Sequence, residues 1–297
     1  MIFSSKQEVL DSISKFEGLY DVVRIVDPVK KSVEDKDGTA VHTHCYDFWN
    51  KGVPCENCVT SRALNENNTF HKIEFKKGII YLITSCPVQV KGDTYAMELL
   101  KDITNTGIIE NESIRSEEEL EKSIENLNKK LVIDDLTGTY NRRFINERLP
   151  AEIFFALMNK TRLSLIMMDV DDFKNINDSY SHMAGDLILK EVSEIMKSSI
   201  RINIDWVARF GGDEFLICLN GANEEAALRI AEAIRQRVEK TAVEYNENKI
   251  KTSLSIGIYT LDKEDITAEE LLRRVDMNMY EAKKMGKNTI FQDKMNR

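Results

Sequence analysis

Two patterns of apolar and polar positions divide the chain. Residues 1–106 contain short runs of strand-forming residues that end at turn signals, among them 21–26. The runs 79–83 and 94–100 lie on either side of a Lys-Gly-Asp turn at 91–93, which predicts antiparallel strands joined by a short hairpin. This first part is predicted to be a small α+β domain.

The segment 107–133 has the pattern of one helix. It lacks Pro throughout and Gly after its first residue, and Leu120, Ile124, Leu127 and Leu131 follow spacings of four, three and four. Such a heptad-like stripe fits either a solvated amphipathic helix or a short coiled coil that pairs two chains. We favour pairing, because we expect the stripe to be exposed in a monomer.

From residue 134 onward, predicted strands and helices alternate. The predicted strands are 163–170, 206–210, 215–219 and 251–259, and the predicted helices are 186–199, 223–243 and one that opens with a capping box at 267–270. The pattern predicts an α/β fold for 134–297, with one sheet and helices packed on it.

Composition narrows the class of protein. The chain has 297 residues, 42% hydrophobic and 31% charged, which suits two folded domains and excludes a mostly disordered chain. It carries 41 Lys and Arg against 50 Asp and Glu, and this net charge of −9 disfavours a nucleic-acid partner. The first residues do not resemble a signal peptide, and no apolar run approaches the roughly 18 residues of a membrane span. We therefore expect a cytoplasmic protein without a membrane partner, whose five Cys stay reduced.

Carboxylates gather at two places in the second part. Asp169 ends a predicted strand and is followed by two more acids, whereas Asp213 and Glu214 follow two glycines at a hairpin tip. Each feature alone is ordinary, since acids at strand ends are usually solvated and a Gly-Gly pair is usually a turn. If the two strands are neighbours, Asp169 and Asp213 converge on Mg²⁺, which favours oxygen ligands and phosphate. A pair of such ions activates an attacking hydroxyl and neutralises a leaving pyrophosphate.

Five separated motifs together carry a family resemblance. They are Asp-Leu-Thr-Gly at 135–138 with Asn-Arg at 141–142, Asp-Val-Asp-Asp-Phe-Lys at 169–174, Asn-Asp at 177–178 with His182 and Gly-Asp at 185–186, Arg-Phe-Gly-Gly-Asp-Glu-Phe at 209–215, and Glu-Ala-Lys with Gly-Lys-Asn at 281–288. In this order they make residues 134–297 resemble the GGDEF domain of the diguanylate cyclase family. The resemblance implies a fold of the nucleotidyl-cyclase and polymerase-palm type. It also implies condensation of two GTP into cyclic di-GMP and two pyrophosphates.

The same resemblance implies roles for individual residues. Asp169, Asp213 and Glu214 would be catalytic and, with the Val170 carbonyl, would hold two Mg²⁺ or Mn²⁺ ions per active site. Glu214 would either bind the second ion or help deprotonate the 3′-hydroxyl. The implied substrate contacts are the guanine readers Asn177 and Asp186 and the phosphate clamp Lys283 and Lys287. The backbone from Asp171 to Lys174, which includes Phe173, would line the phosphate path.

Residue chemistry agrees with two of these assignments. The Asp186 carboxylate can accept two N–H bonds from guanine that adenine cannot supply, so it would reject ATP. Lys283 and Lys287 are four residues apart on a predicted helix and hence are expected on one face, as solvated lysines also would be.

Three positions depart from the family pattern. Lys287 stands where the family often has Arg, and Ser181 stands where it usually has Gly. The family's feedback site is an Arg-x-x-Asp sequence; Asp205 matches it, but Ile202 occupies the Arg position and Arg201 lies one residue too early. We therefore expect weak product inhibition.

The first part resembles a PAS-like sensor domain in its size, its late antiparallel strands and its Lys-Asp-Ile-Thr ending at 101–104. It holds Cys45, Cys55 and Cys58, spaced C-x9-C-x2-C, and Cys86 on a predicted strand. Such thiols can form a four-thiolate set for Zn²⁺ or an iron–sulfur cluster. Alternatively, the four are unrelated thiols.

The combined interpretation is a sensor-regulated diguanylate cyclase that takes GTP and forms a homodimer through its linker helix and its GGDEF domains. A degenerate GGDEF domain that only binds GTP or cyclic di-GMP is the alternative, and the intact motifs at 169–174 and 211–215 argue against it. A polymerase-like enzyme is disfavoured by the net charge.

Overall fold

A computed structural model of the protein describes residues 2–14, 18–35, 44–106, 116–262 and 266–293. The chain divides into two compact units. The first comprises Met1–Val132 with Asn146–Ala151, and the second comprises Ile133–Ile145 with Glu152–Arg297. The predicted linker helix is thus part of the first unit.

The first unit is built on a six-stranded sheet in the order β1-β5-β6-β2-β3, with β4 also on β5. Its strands are β1 (Ile2–Phe3), β2 (Val22–Val26), β3 (Val33–Asp35), β4 (Phe70–Lys76), β5 (Ile79–Val90) and β6 (Asp93–Asp102). Its helices are α1 (Lys6–Ser14), α2 (Val59–Asn65) and α3 (Glu117–Lys130), with a 3-10 turn at Asp47–Trp49. The predicted hairpin is confirmed, because β5 and β6 pair in antiparallel register from Tyr81 opposite Asp102 to Val90 opposite Asp93.

Both faces of this sheet are covered. Val9 and Leu10 of α1 pack against Ile25 and Val88 on one face. On the other face, Val59 at the start of α2 packs with Trp49, Ile83 and Leu100. Because side chains alternate between faces along a strand, successive residues of β5 pack into two different hydrophobic clusters, one on each face of the sheet.

Helix α3 corrects the expectation of a fully exposed stripe. Ser116 caps the helix by accepting the Glu119 N–H, and Ile124 is only 3% exposed because it packs against Ile80 and Ile103 of the first unit. Leu120 lies beside the same cluster. The expectation is therefore wrong for the first half of the stripe: the sheet presents its own apolar surface, and the helix covers it.

The second half of the stripe behaves as predicted. Leu127 is 61% exposed and Leu131 is 45% exposed. The second half of the stripe therefore lies at the surface of the first unit. Residues 107–115, where the predicted helical segment begins, lie outside the described residues.

The second unit contains a five-stranded sheet in the order β13-β12-β7-β9-β8 and a separate β10–β11 hairpin. The strands are β7 (Leu163–Val170), β8 (Trp206–Gly211), β9 (Glu214–Asn220), β10 (Ala242–Tyr245), β11 (Asn248–Lys251), β12 (Leu254–Leu261) and β13 (Ile290–Gln292). The helices are α5 (Phe173–Tyr180), α6 (His182–Lys197), α7 (Glu224–Lys240), α8 (Ala268–Lys284) and the two ends of α4 (Arg142–Met158), whose residues 146–151 belong to the first unit. The mixed sheet with packed helices confirms the predicted architecture.

Every residue of β7 and β12 is buried, which identifies them as the central strands. Their continuous apolar pattern is what burial on both faces requires. The predicted caps are confirmed, since Asn223 accepts the Ala226 N–H and Thr267 accepts the Glu270 N–H. The predicted strand at 251–259 is displaced to β12, because its first residue belongs to the β10–β11 hairpin. Within the described ranges, no helix combines the length and apolarity needed to cross a membrane.

Candidate active site

The acidic end of β7 lies beside the tip of the β8–β9 hairpin, as the sequence predicts. Strands β7 and β9 are antiparallel neighbours, and Asp169 lies opposite Glu214 in their register. The Val170 N–H donates to the Asp213 carbonyl across 3.2 Å. The sheet therefore brings together the carboxylates from two motifs that are more than 40 residues apart.

The Arg209 side chain stabilises the tip of the β8–β9 hairpin. Gly212 has a φ of +43°, a backbone conformation that favours glycine, and its carbonyl accepts the Arg209 Nε–H at 2.9 Å. The same guanidinium lies 3.3 Å from both carboxylate oxygens of Asp134. Arg209 had no predicted role, although its place two residues before the first glycine was the available signal.

Burial and neighbouring negative charge together control the electrostatics of the site. The pKa of Asp169 is raised to about 6, mainly by burial and to a smaller extent by the nearby Asp213 and Glu214 carboxylates. The Lys283 ammonium, 2.7 Å from Asp169 Oδ2, acts in the opposite direction. Burial also raises the pKa of Glu214, with Asp276 and Asp213 contributing. An added cation would relieve this repulsion.

The donor set is compatible with a hard cation. Asp169, Asp213 and Glu214 offer carboxylate oxygens, and Val170 offers a carbonyl at the same strand end, which are the oxygen ligands that Mg²⁺ and Mn²⁺ prefer. Among the described residues, no three His, Cys, Asp or Glu side chains are already grouped as a metal site. The Asp169 carboxylate is instead paired with Lys283.

Helix α5 begins immediately after this strand end. Asp172 adopts a left-handed conformation with a φ of +57°, and the first backbone N–H groups of the helix, from Phe173 and Lys174 onward, have no partner within it. A helix N-terminus of this kind favours phosphate groups. The placement agrees with the phosphate-path role that the resemblance implies for these two residues.

The two clamp lysines reach the site by different routes. Helix α8 ends at Lys284, and Lys287 lies beyond Gly286 in a left-handed turn with a φ of +64°. The idea that Lys283 and Lys287 share one helical face is therefore wrong. Lys283 extends from the helix to Asp169, whereas Lys287 extends from the turn to Asp172, at 2.7 Å.

A small recess between α5 and α6 holds an unpaired acceptor. The Oδ1 atom of Asn177 is buried without a hydrogen-bond partner in the part of the chain that the structure describes. Gly185 makes room for it, since a Cβ there would lie only 2.1 Å from that oxygen. Asp186 follows on α6 and is exposed. A buried acceptor without a partner is uncommon in proteins and is suited to a donor from a ligand.

The feedback residues form a closed pair in this structure. Arg201 donates to both carboxylate oxygens of Asp205, at 2.8 and 2.6 Å, and to the Asn220 carbonyl at 2.6 Å. Asp205 also accepts the Asn220 N–H. Ile202, at the position where the motif requires Arg, is 82% exposed. Arg201 thus fastens its own loop to the end of β9.

Cys86 lies apart from the other three cysteines of the first unit. It packs with the α1 core, whereas Cys45 and Cys55 pack near Val26 on the opposite face, and Cys58 occupies the N-cap position of α2 without a side-chain capping hydrogen bond. Burial raises the pKa of the Cys45 and Cys55 thiols, so both rest protonated. The predicted four-thiolate set is therefore not formed, because the alternation of β5 turns Cys86 away from the others.

Asp171 lies beside the site, and the sequence predicted no role for its side chain. It is 5% exposed, and its carboxylate accepts the Ser253 and Ser255 hydroxyls, each at 2.5 Å, and the Asn288 N–H at 2.9 Å. Its place in the Asp-Val-Asp-Asp motif suggested a solvated acid. No local signal could reveal partners that lie more than 80 residues away.

Comparisons with known proteins cover this second unit. Residues 131–289, just over half of the chain, match the family described as "Diguanylate cyclase, GGDEF domain". Diguanylate cyclase A of Treponema denticola is 42% identical over 137 residues, 46% of this chain and 37% of that protein. Diguanylate cyclase DosC of Escherichia coli K12 is 42% identical over 159 residues, 53% of this chain and 34% of that protein. The chain thus spans about a third of the length of these curated relatives.

A solved structure agrees with the fold. The GGDEF domain of TpbB, also called YfiN, from Pseudomonas aeruginosa matches with a TM-score of 0.52 and 34% identity. The match covers 55% of this chain and 95% of that structure.

Proposed function

Since this chain belongs to the GGDEF-domain family of diguanylate cyclases, we propose that it condenses two GTP molecules into cyclic di-GMP and two pyrophosphates. The observation that carries the proposal is the pairing of β7 with β9, which sets Asp169 opposite Glu214 at the hairpin tip. These carboxylates lie beside a helix N-terminus and two lysines, a combination suited to a nucleoside triphosphate and its metal ions.

Asp169, Asp213, Glu214 and the Val170 carbonyl would hold Mg²⁺ or Mn²⁺, two ions per site. When bound, such ions supply activation of the 3′-hydroxyl and neutralisation of the leaving pyrophosphate. The raised pKa of Glu214 suits a second task, because a carboxylate of higher pKa accepts a proton more readily from the attacking hydroxyl. Lys283, released from Asp169, is then free to bind a phosphate.

The phosphates are held by charge and by the backbone. Lys283 and Lys287 place two ammonium groups at the end of β7, and the N-terminus of α5 adds N–H donors through Phe173 and Lys174. Lys287 is an ammonium where the family often has the planar Arg fork, so its grip on phosphate is weaker but retained.

The guanine base is read in the recess between α5 and α6. The unpaired Oδ1 of Asn177 can accept an N–H from the base, and the exposed Asp186 carboxylate can accept the N1 and N2 protons of guanine. Adenine offers neither of those two donors, so its binding would leave the acceptors unpaired.

The reaction needs a second copy of the chain. Each domain holds one GTP, and the 3′-hydroxyl of one nucleotide must meet the α-phosphate of the other. A homodimer with opposed sites satisfies this need, and the exposed Leu127 and Leu131 on α3 offer an apolar surface for pairing.

The first unit is proposed to be a PAS-like sensor that regulates the cyclase. Support comes from its antiparallel strand order β3-β2-β6-β5-β4 and from the Asp102-Ile103-Thr104 ending. The Thr104 hydroxyl donates to Asp102 at 2.6 Å and accepts the Ile80 N–H at 3.0 Å, which fixes the chain where it leaves the sheet. A change in this unit would bias how often two sites meet.

Product inhibition is proposed to be weak. Arg201 is engaged by Asp205 and by the Asn220 carbonyl, and Ile202 cannot bind an anionic nucleotide. Inhibition at submicromolar cyclic di-GMP, without competition by GTP, would contradict this part of the proposal.

A degenerate receptor is the alternative, and one comparison separates it from the enzyme. The purified chain and its Asp213→Ala variant are incubated with GTP and Mg²⁺, and the nucleotides are then separated. We expect cyclic di-GMP from the wild type only, with both proteins folded, because Asp213 lies at a hairpin tip outside the core. Unchanged GTP with the wild type, or equal turnover by both proteins, would contradict the proposed function.

A further inference from the structure

The Asp171 carboxylate joins three separate segments of the second unit. It lies just after β7, accepts the Ser253 and Ser255 hydroxyls on the approach to and start of β12, and accepts the Asn288 N–H before β13. Its own backbone N–H donates to the Ser253 carbonyl at 3.0 Å. A buried carboxylate with three donors is fully committed to the fold, so it is not a free ligand for metal or substrate.

The segment that it holds is conformationally demanding. Gly286, Lys287 and Asn288 are all left-handed, with φ values of +110°, +64° and +47°. Lys and Asn pay a steric cost in this region that glycine does not. A run of this kind persists only where its surroundings determine it.

Two further side chains hold the same turn. Arg235 Nη1 donates to Asn288 Oδ1 at 2.7 Å, and Asn288 Nδ2 donates to Glu239 Oε1 at 2.7 Å. With Asp171 on the backbone N–H, the side chain and the backbone of Asn288 are both fixed. The neighbouring Lys287 is thereby aimed at the end of β7, where its ammonium pairs with Asp172.

We propose that Asp171 is a positioning residue for the triphosphate: it holds the left-handed turn that presents Lys287 to the nucleotide. This inference rests on the proposed function, since Lys287 is one of the side chains proposed there to bind phosphate. The Asp171 side chain acts through Lys287 and touches no substrate. Its contribution is expected in the affinity for GTP more than in the rate at saturation.

Binding energies in a double-mutant cycle test the coupling directly. Dissociation constants for a GTP analogue with a methylene group between its α- and β-phosphorus atoms, which cannot release pyrophosphate, are measured with Mg²⁺ by calorimetry for the full chain, Asp171→Asn, Lys287→Met and the double variant. We expect each single variant to weaken binding about tenfold, and the double variant to bind no more weakly than Lys287→Met alone. Losses that multiply to about a hundredfold, or no loss in Asp171→Asn, would overturn the inference.

A matched control separates positioning from general destabilisation. Ser164 lies at the other end of β7 and donates to the buried Ala222 carbonyl at 2.9 Å. Ser164→Ala should lower the melting temperature and leave GTP affinity unchanged, alone or combined with Lys287→Met. Coupling of the same size between Ser164→Ala and Lys287→Met would overturn the inference.

Two further readouts keep the outcome clear. Because binding is measured without turnover, a wild type that binds GTP but makes no cyclic di-GMP would refute the proposed function while the coupling is still decided. If Asp171→Asn does not fold, amide hydrogen exchange of the wild type decides instead. The Asn288 N–H should then exchange as slowly as the amides of β13, and exchange at the rate of an open loop would overturn the inference.

Discussion

The buried carboxylate of Asp169 lowers the stability of the fold when it ionises, and the same carboxylate is proposed to act in the reaction. In the unfolded chain its pKa is close to 3.8, whereas burial raises its pKa to about 6 in the fold. Between these pH values the folded protein binds more protons than the unfolded chain, so its free energy of unfolding falls as the pH rises. The ionised form of Asp169 therefore destabilises the fold, as charged groups in active sites often do.

Asp169→Asn tests both aspects. Asn cannot ionise, so the stability of the wild type relative to this variant should fall as the pH rises from about 4 to about 6, and level off above. Urea unfolding at a series of pH values without divalent metal measures the difference. Turnover of the variant should drop about a hundredfold or more, since a group that stabilises developing charge is lost. A stability difference that is independent of pH would contradict the electrostatic account.

Asp186→Ala tests base recognition. The variant loses the acceptor for the N1 and N2 protons of guanine, so its preference for GTP over ATP should fall about tenfold or more. Competition between the two nucleotides in one binding assay measures this ratio. Asp178→Ala, an exposed acid on the neighbouring helix, is the control and should keep the preference. Unchanged discrimination in Asp186→Ala would remove the role assigned to this residue.

Among the secondary-structure elements, α6 begins under unusual constraint. Its capping residue, Ser181, has a φ of +129°, and its hydroxyl accepts the Ala184 N–H and donates to the Tyr245 hydroxyl. The family usually has Gly here, and the structure shows the reason, because only glycine adopts this conformation without strain. Ser181 thus has a strained backbone, and its side chain supplies a capping hydrogen bond that glycine could not make.

Two substitutions at this position separate the cap from the strain. Ser181→Ala keeps the strain and loses the cap, so it should lower the free energy of unfolding by about 1 kcal/mol. Ser181→Gly loses the cap but also relieves the strain, so it should be less destabilising or neutral. Urea unfolding of both variants measures the order. A glycine variant less stable than the alanine variant would show that Ser181 is not strained.

The elements with a strong local signal were predictable from sequence. Buried β7, the β8–β9 hairpin and the caps at Asn223 and Thr267 are confirmed, because periodicity and capping chemistry are local properties. The acid cluster followed from the expectation that two strands are neighbours. Where partners are remote, local signals fail: Lys287 lies beyond the helix end, Asp171 meets β12 and the turn before β13, and Cys86 faces another core.

On the scale of the whole molecule, the proposed reaction requires two chains to pair, because each domain holds one GTP. Because Ile124 is buried within the first unit, a substitution there would damage the fold rather than test pairing. Leu127 and Leu131 are exposed and lie on the same side of α3. They are the better probes of an interface.

Replacing Leu127 and Leu131 together by Asp should yield monomers with much lower specific activity at dilute enzyme. Proximity supplies several kcal/mol of the barrier in a reaction that joins two bound substrates, and dilution removes it. Light scattering and activity over a range of enzyme concentrations measure the two properties together. Leu228→Asp, on the exposed surface of α7, is the control and should change neither. Full activity in a variant shown to be monomeric would reject pairing through α3.

Joining two GTP molecules into one cyclic dinucleotide fixes the ratio of the two products. Pyrophosphate and cyclic di-GMP are therefore measured in the same reaction of the purified chain with GTP and Mg²⁺. We expect two pyrophosphates for every cyclic di-GMP, with GTP as the sole nucleotide consumed. Pyrophosphate without the cyclic dinucleotide, or GTP that is bound and recovered unchanged, would contradict it.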